Sequence, residues 1–199
     1  MLPPGEPKFR RRPAERPAEI LAAALEVFAA RGYAATRLED VARRAGVSKG
    51  ALYLYFETKE DLFRAVVETA VGGNLAHLKD LAGTGVAFET AVRAGVGLLA
   101  QTVASDRRVS GVVRLVIVEG RNLPELATIW HETVVVPALG VITGLIRAGQ
   151  ARGEVRCGDP RLFAMGLMGP MLLGVLWRET FEPIGAEPVD IEALAAQHL

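Results

Sequence analysis

The chain has 199 residues, half of them hydrophobic and 6% aromatic, with a formal net charge of zero. Such a chain can bury a sizeable core, which excludes a disordered protein. Its single cysteine, Cys157, excludes an intrachain disulfide framework and fits a reducing, cytoplasmic compartment.

The zero conceals an asymmetry. Residues 1–56 carry ten Lys/Arg against six Asp/Glu, so this end is at +4 and the remainder at −4. A basic end on an acidic body points to a polyanionic partner, or to an ordinary uneven surface. The start, MLPPGEPKFRRRP, has no apolar stretch behind its basic residues and does not read as a signal peptide. Three prolines and then a basic run in residues 1–12 predict a disordered arm, taken over residues 1–15.

Helix follows helix from there. Pro17 suits a first helical position, and Ile20, Leu21, Ala24, Leu25 and Phe28 recur on one face until Gly32. Thr36 and Glu39 have capping-box spacing and open a second helix with Leu38, Val41, Ala42 and Ala45 inward. Gly46 stops it. Ser48 caps a third helix whose inner face is Leu52, Tyr55 and Phe56. Thr58-Lys59-Glu60-Asp61 starts a fourth, burying Leu62, Phe63, Val66 and Ala70 and ending before Gly83. Further helices are expected over 86–104, 107–118, 124–151 (kinked by Pro137), 160–178 and 189–198. The uncharged stretch Leu162–Trp177 is sixteen residues, short of the ~20 that span a bilayer, and is expected to be buried or interfacial rather than in a membrane.

Two short helices joined by Ala45-Gly46-Val47-Ser48 have helix-turn-helix geometry, because Gly most easily takes the left-handed conformation such a turn needs. A hydrophobic helical hairpin alone would leave a structural role open. The third helix adds outward residues suited to a major groove. Lys49 can donate to guanine or phosphate, Gly50 and Ala51 allow close approach, and Tyr53 offers a hydroxyl. Helix N-termini at Thr36, Ser48 and Lys59 combine free N–H groups with side-chain donors, and Arg37 stands beside the first. Arg10, Arg11 and Arg12 form an arm able to track a backbone or enter a minor groove.

Residues 16–63 resemble the TetR family of bacterial repressors. The resemblance runs through Ile20-Leu21, Ala24, Phe28, Gly32-Tyr33, Thr36, Val41-Ala42, Ala45-Gly46-Val47-Ser48-Lys49-Gly50, Leu52-Tyr53, Tyr55-Phe56, Lys59 and Leu62. It implies that Lys49, Gly50, Ala51 and Tyr53 face an operator in double-stranded DNA, and that Thr36, Tyr55 and Lys59 hold phosphates. It also implies a homodimer on a palindromic site. Val118-Glu119-Gly120 and Leu123-Pro124-Glu125-Leu126-Ala127 look like a subgroup of this family tied to efflux or lipid-like ligands.

The expected architecture is all-α: a disordered basic arm (1–15), a three-helix helix-turn-helix module (16–60), and a helical ligand-binding and dimerisation body (61–199). The helices at 124–151 and 160–178 are expected to pair two subunits, with the glycines near Met165, Met168 and Met171 serving close helix packing; flexible Met in a pocket is the alternative use. A small apolar or aromatic ligand is expected in a pocket of Phe88, Leu99, Val103, Arg114, Ile117, Trp130, His131, Val134 and Leu172. Arg114 and Glu119, set among apolar residues, can form an internal pair or serve as polar anchors in that pocket. Tyr33 and Phe56 read as packing, and Tyr55 as either core or phosphate contact.

No catalytic set, metal site or cofactor site is expected. His77, His131 and His198 are scattered, and the glycine pairs lack Walker spacing. The rival classes are a helical small-molecule-binding protein or enzyme without DNA binding, and a DNA binder without a ligand.

Overall fold

The computed structural model describes residues 16–105 and 107–198. The expected arm, with Arg10, Arg11 and Arg12, lies outside the described residues. Among the described residues every regular element is a helix.

Helix α1 (Arg16–Arg31), α2 (Leu38–Arg44), α3 (Lys49–Tyr53) and the first turns of α4 (Lys59–Gly83) enclose one small core. Its centre is aromatic. Phe63 meets Phe28 edge-on at 5.9 Å and Tyr33 at 5.4 Å, and all three rings are buried. Ile20, Val41, Leu52 and Leu62 close it completely. Of the apolar stripe predicted for α1, Ile20, Ala24, Leu25 and Phe28 are buried and Leu21 is half-buried, while Ala23 and Val27, not predicted, are buried as well. Along α4, Val67 and Val71 are buried where Ala70 was expected, Ala70 being only half-buried.

Two local expectations shift. Helix α2 starts at Leu38, where the Asp40 carboxylate accepts the Arg37 N–H at 3.4 Å. Thr36 is withdrawn because its hydroxyl donates to the Gly32 carbonyl at 2.7 Å and is 2% exposed. Helix α3 ends at Tyr53, so Tyr55 falls in the following turn and points outward, while Leu52 and Phe56 stay inside.

The body contains α5 (Phe88–Ser105), α6 (Arg107–Glu119), α7 (Pro124–Trp130), α8 (Val136–Ala151), α9 (Pro160–Thr180) and α10 (Ile191–His198). The single helix predicted over 124–151 is continuous but widens into a π-helical turn at His131–Val135. Pro137 supplies the reason, since it has no N–H for the preceding turn and its ring crowds the carbonyl four residues back. Asp159 caps α9 by accepting the Arg161 N–H at 2.7 Å. Thus α4 runs from the head into the body, and α6 lies against both α1 and the body helices.

Candidate nucleic-acid interface and ligand cavity

The turn before α3 is built as its sequence requires. Gly46 has φ +66°, and the Ser48 hydroxyl accepts the Ala51 N–H at 3.1 Å. With Leu52 anchoring the inner side, Ser48, Lys49, Gly50 and Tyr53 stand exposed and Ala51 is half-exposed. Nothing lies within 4 Å of a side chain placed at Gly50. Arg37 and Tyr55 are exposed on the same module.

Lys49 is not idle in the free protein. Its ammonium pairs with Glu39 at 2.5 Å and sits 5.6 Å from the Tyr53 ring centroid. That hydrogen bond holds the Glu39 carboxyl below, and the Lys49 ammonium above, its ordinary value. An exposed pair of this kind contributes only ~0–1 kcal/mol, so phosphate or a base edge can displace it.

Two residues expected at phosphates are turned inward instead. Thr36 is buried as described. Lys59 donates to the carbonyls of Tyr33 at 2.9 Å, Ala34 at 3.4 Å and Thr36 at 3.2 Å, and lies 4.3 Å from the Tyr33 ring centroid. Here Lys59 gathers the carbonyls of a tight turn that helical bonding leaves unpaired. Burial, and next the charge of Glu60, push the Tyr33 phenol far above its ordinary value.

The opposite side of that turn is held from the body. Glu119, at the end of α6, accepts the Tyr33 N–H at 2.8 Å through one oxygen and the Ala34 N–H at 2.9 Å through the other. Gly32 (φ +79°) is needed twice over, because a Cβ there would lie 2.8 Å from the Glu119 Oε1. Arg114 donates to the Ala29 carbonyl of α1 at 3.0 Å. Arg114 and Glu119 therefore do not pair with each other or line a pocket; each finds backbone partners in the head, which satisfies its charge without a counter-ion.

A cavity of about 380 Å³ opens within the body, between α4, α5, α6, the α7–α8 helix and α9. Of the predicted lining, Leu99, Val103, Trp130, Val134 and Leu172 are there. Phe88, Arg114, Ile117 and His131 are not. Phe88 packs at Gly149, Ile117 is 47% exposed, and His131 is exposed on the π-helical turn. Reading missed Val71, Asn74, Leu75 and Leu78 of α4, and Ala138, Leu139 and Ile142 of α8. Met165, Met168 and Met171, expected in helix packing with a pocket as the alternative, all line the cavity. The chain's unusual Met clustering was the available signal, since flexible thioethers suit an adaptable pocket.

The apolar surface continues outside the cavity, sharing Met165, Gly169 and Leu172 with its wall. Along α9, Leu162, Met165, Leu172 and Leu173 are more than half exposed, and Gly166 and Gly169 have open space above them. On α8, Val136 is 51% exposed and Gly140 and Gly144 are likewise open. The helical spans Pro124–Ala151 and Pro160–Ile184 are long and apolar enough to cross a membrane by composition. The opposite faces of both are buried in the body, through Leu145, Ile146, Met171 and Val175.

Residues 20–66 match the bacterial regulatory proteins of the tetR family, and residues 94–196 match the C-terminal domain of AefR-like transcriptional repressors. An uncharacterised HTH-type transcriptional regulator of Bacillus subtilis, YfiR, is 42% identical over 64 residues, 32% of this chain and 31% of that protein. Such short matches span only 23–31% of the relatives' own length. The fatty acid metabolism regulator protein of B. subtilis is 26% identical over 152 residues, 76% of this chain and 77% of that protein. The crystal structure of the transcriptional regulator FadR from B. subtilis in complex with stearoyl-CoA has the same fold, with a TM-score of 0.70 at 22% identity over 91% of this chain and 94% of that one.

Proposed function

From the premise that the chain belongs to the TetR family of bacterial transcriptional regulators, we propose that it is a cytoplasmic homodimeric repressor, released from a palindromic operator when an apolar molecule occupies the body. One observation carries this reading: α3 projects Lys49, Gly50 and Tyr53 from a head packed solid behind them, while the body keeps an unfilled cavity. Ser48, Lys49, Gly50, Ala51, Tyr53, Tyr55 and Arg37 are the residues proposed to meet DNA. The exposed stripes of α8 and α9 are proposed to meet those of a second copy as a four-helix bundle, their glycines allowing close approach. That pairing covers the same apolar surface that would otherwise favour lipid. It sets the two recognition helices ~34–36 Å apart for successive major grooves.

Two elements can carry the signal. Helix α4 lines the cavity through Val71, Asn74, Leu75 and Leu78 and anchors the head through Leu62 and Phe63. Helix α6 lines it through Val109 and Val113 and holds the head through Arg114 and Glu119. A ligand that favours one placement of these helices by ~1.4 kcal/mol changes operator affinity tenfold. The walls are mainly aliphatic, and a protein of the same fold was solved with stearoyl-CoA, so a long acyl chain is the first candidate ligand.

The test is operator selection from random duplexes, followed by fluorescence anisotropy on wild type and on Lys49→Ala/Tyr53→Ala. Each lost contact is worth about 1–3 kcal/mol, so affinity should fall at least a hundredfold with the melting temperature unchanged. An unaltered affinity would remove Lys49 and Tyr53 from the DNA interface, and failure to select any duplex would return the chain to the class of helical binding proteins.

A further inference from the structure

We propose that Asn74 is the polar anchor for the effector, and that it selects a molecule carrying a neutral hydrogen-bond acceptor, a carbonyl oxygen, on an otherwise aliphatic frame. The inference rests on the cavity being the effector site and goes on to name what the cavity reads.

The chemistry of the walls sets the limits. Among the described residues the cavity is lined by aliphatic, methionine and glycine residues, with Trp130 and Asn74 as the exceptions. No Lys, Arg, His, Asp or Glu is among them. An ionised carboxylate or phosphate inside would lose its hydration with no counter-charge, so such a group must stay outside or be absent. A neutral carbonyl loses far less, provided one donor meets it.

Asn74 offers that donor. The Thr102 hydroxyl lies 3.1 Å from the Asn74 Oδ1 and 2.9 Å from the Leu98 carbonyl of α5, its one proton shared between the two acceptors. Thr102 thereby fixes the amide against α5. Among the described residues the Asn74 Nδ2 has no hydrogen-bond partner. Asn74 also follows Gly72-Gly73, whose positions have open space and whose residues weaken a helix interior relative to alanine. A hydrogen bond to Asn74 therefore acts on α4 beside its most yielding point, on the helix that continues into the head.

The probes are 2-nonanone and 2-methyl-1-nonene, which share a carbon frame and differ in C=O against C=CH2. Binding is measured by calorimetry on the full chain, wild type and Asn74→Leu. Asn74→Leu should weaken 2-nonanone about tenfold and leave 2-methyl-1-nonene unchanged or tighter; comparing the two differences cancels their unequal hydration. Thr102→Val, which keeps the amide but frees it, should lose part of the ketone preference, and nonanoate should bind wild type more weakly than the ketone. Equal effects of Asn74→Leu on both probes would overturn the anchor. If neither probe binds the wild-type protein, the cavity itself fails as the effector site, a separate outcome. Melting curves confirm that each variant is folded.

Discussion

The head and the body solve opposite packing problems with the same kind of helix. Around Phe63 the head leaves no space, and its turn is held from both sides, by Lys59 on the carbonyls and Glu119 on the N–H groups. The body holds a cavity of about 380 Å³ lined by side chains of α4, α5, α6, α8 and α9. A rigid reader and a yielding sensor in one chain mean that a small molecule can change the body's shape while the head moves as a unit. In the proposed mechanism the signal passes where the two kinds of packing share a helix, along α4 and α6.

The contrast can be broken first by matched truncations. Phe63→Ala removes a fully buried ring from a filled core and should cost about 3–5 kcal/mol. Leu139→Ala removes a side chain that already faces space and should cost nearer ~1 kcal/mol. Urea unfolding of the two variants measures the difference; equal losses would show the body to be as tightly packed as the head.

A smaller effect sharpens the link between them. Glu119→Ala deprives the Tyr33 and Ala34 N–H groups of charged acceptors, and should lower stability by about 1–3 kcal/mol. The more specific expectation is that ligand then shifts operator affinity less than it does in wild type. A variant that is destabilised yet fully responsive would leave α4 as the sole carrier.

Much of the head was legible because its signals are local. Gly32, Gly46, Ser48 and the stripe on α1 each act within a few residues, and their φ angles and caps are those expected. The inward turn of Thr36 and Lys59 was not legible, since it depends on carbonyls brought together only in the folded head. In the body, helix positions followed from proline, Asp159 and apolar spacing, but the cavity did not. Arg114 and Glu119 look like pocket residues on α6 alone; that they reach 85 residues back to α1 and its turn is decided by tertiary packing. Asn74, one polar residue on a long helix, gave no signal until Thr102 and the apolar walls stood around it.

The account turns on the cavity and the operator sharing one equilibrium, and this can be measured without knowing the effector. Ala138→Phe places a ring into the cavity from its own wall. If occupancy releases DNA, this variant should bind the selected operator at least tenfold more weakly than wild type by anisotropy, while its melting temperature holds or rises. A folded, heat-stable Ala138→Phe protein with wild-type operator affinity would contradict it.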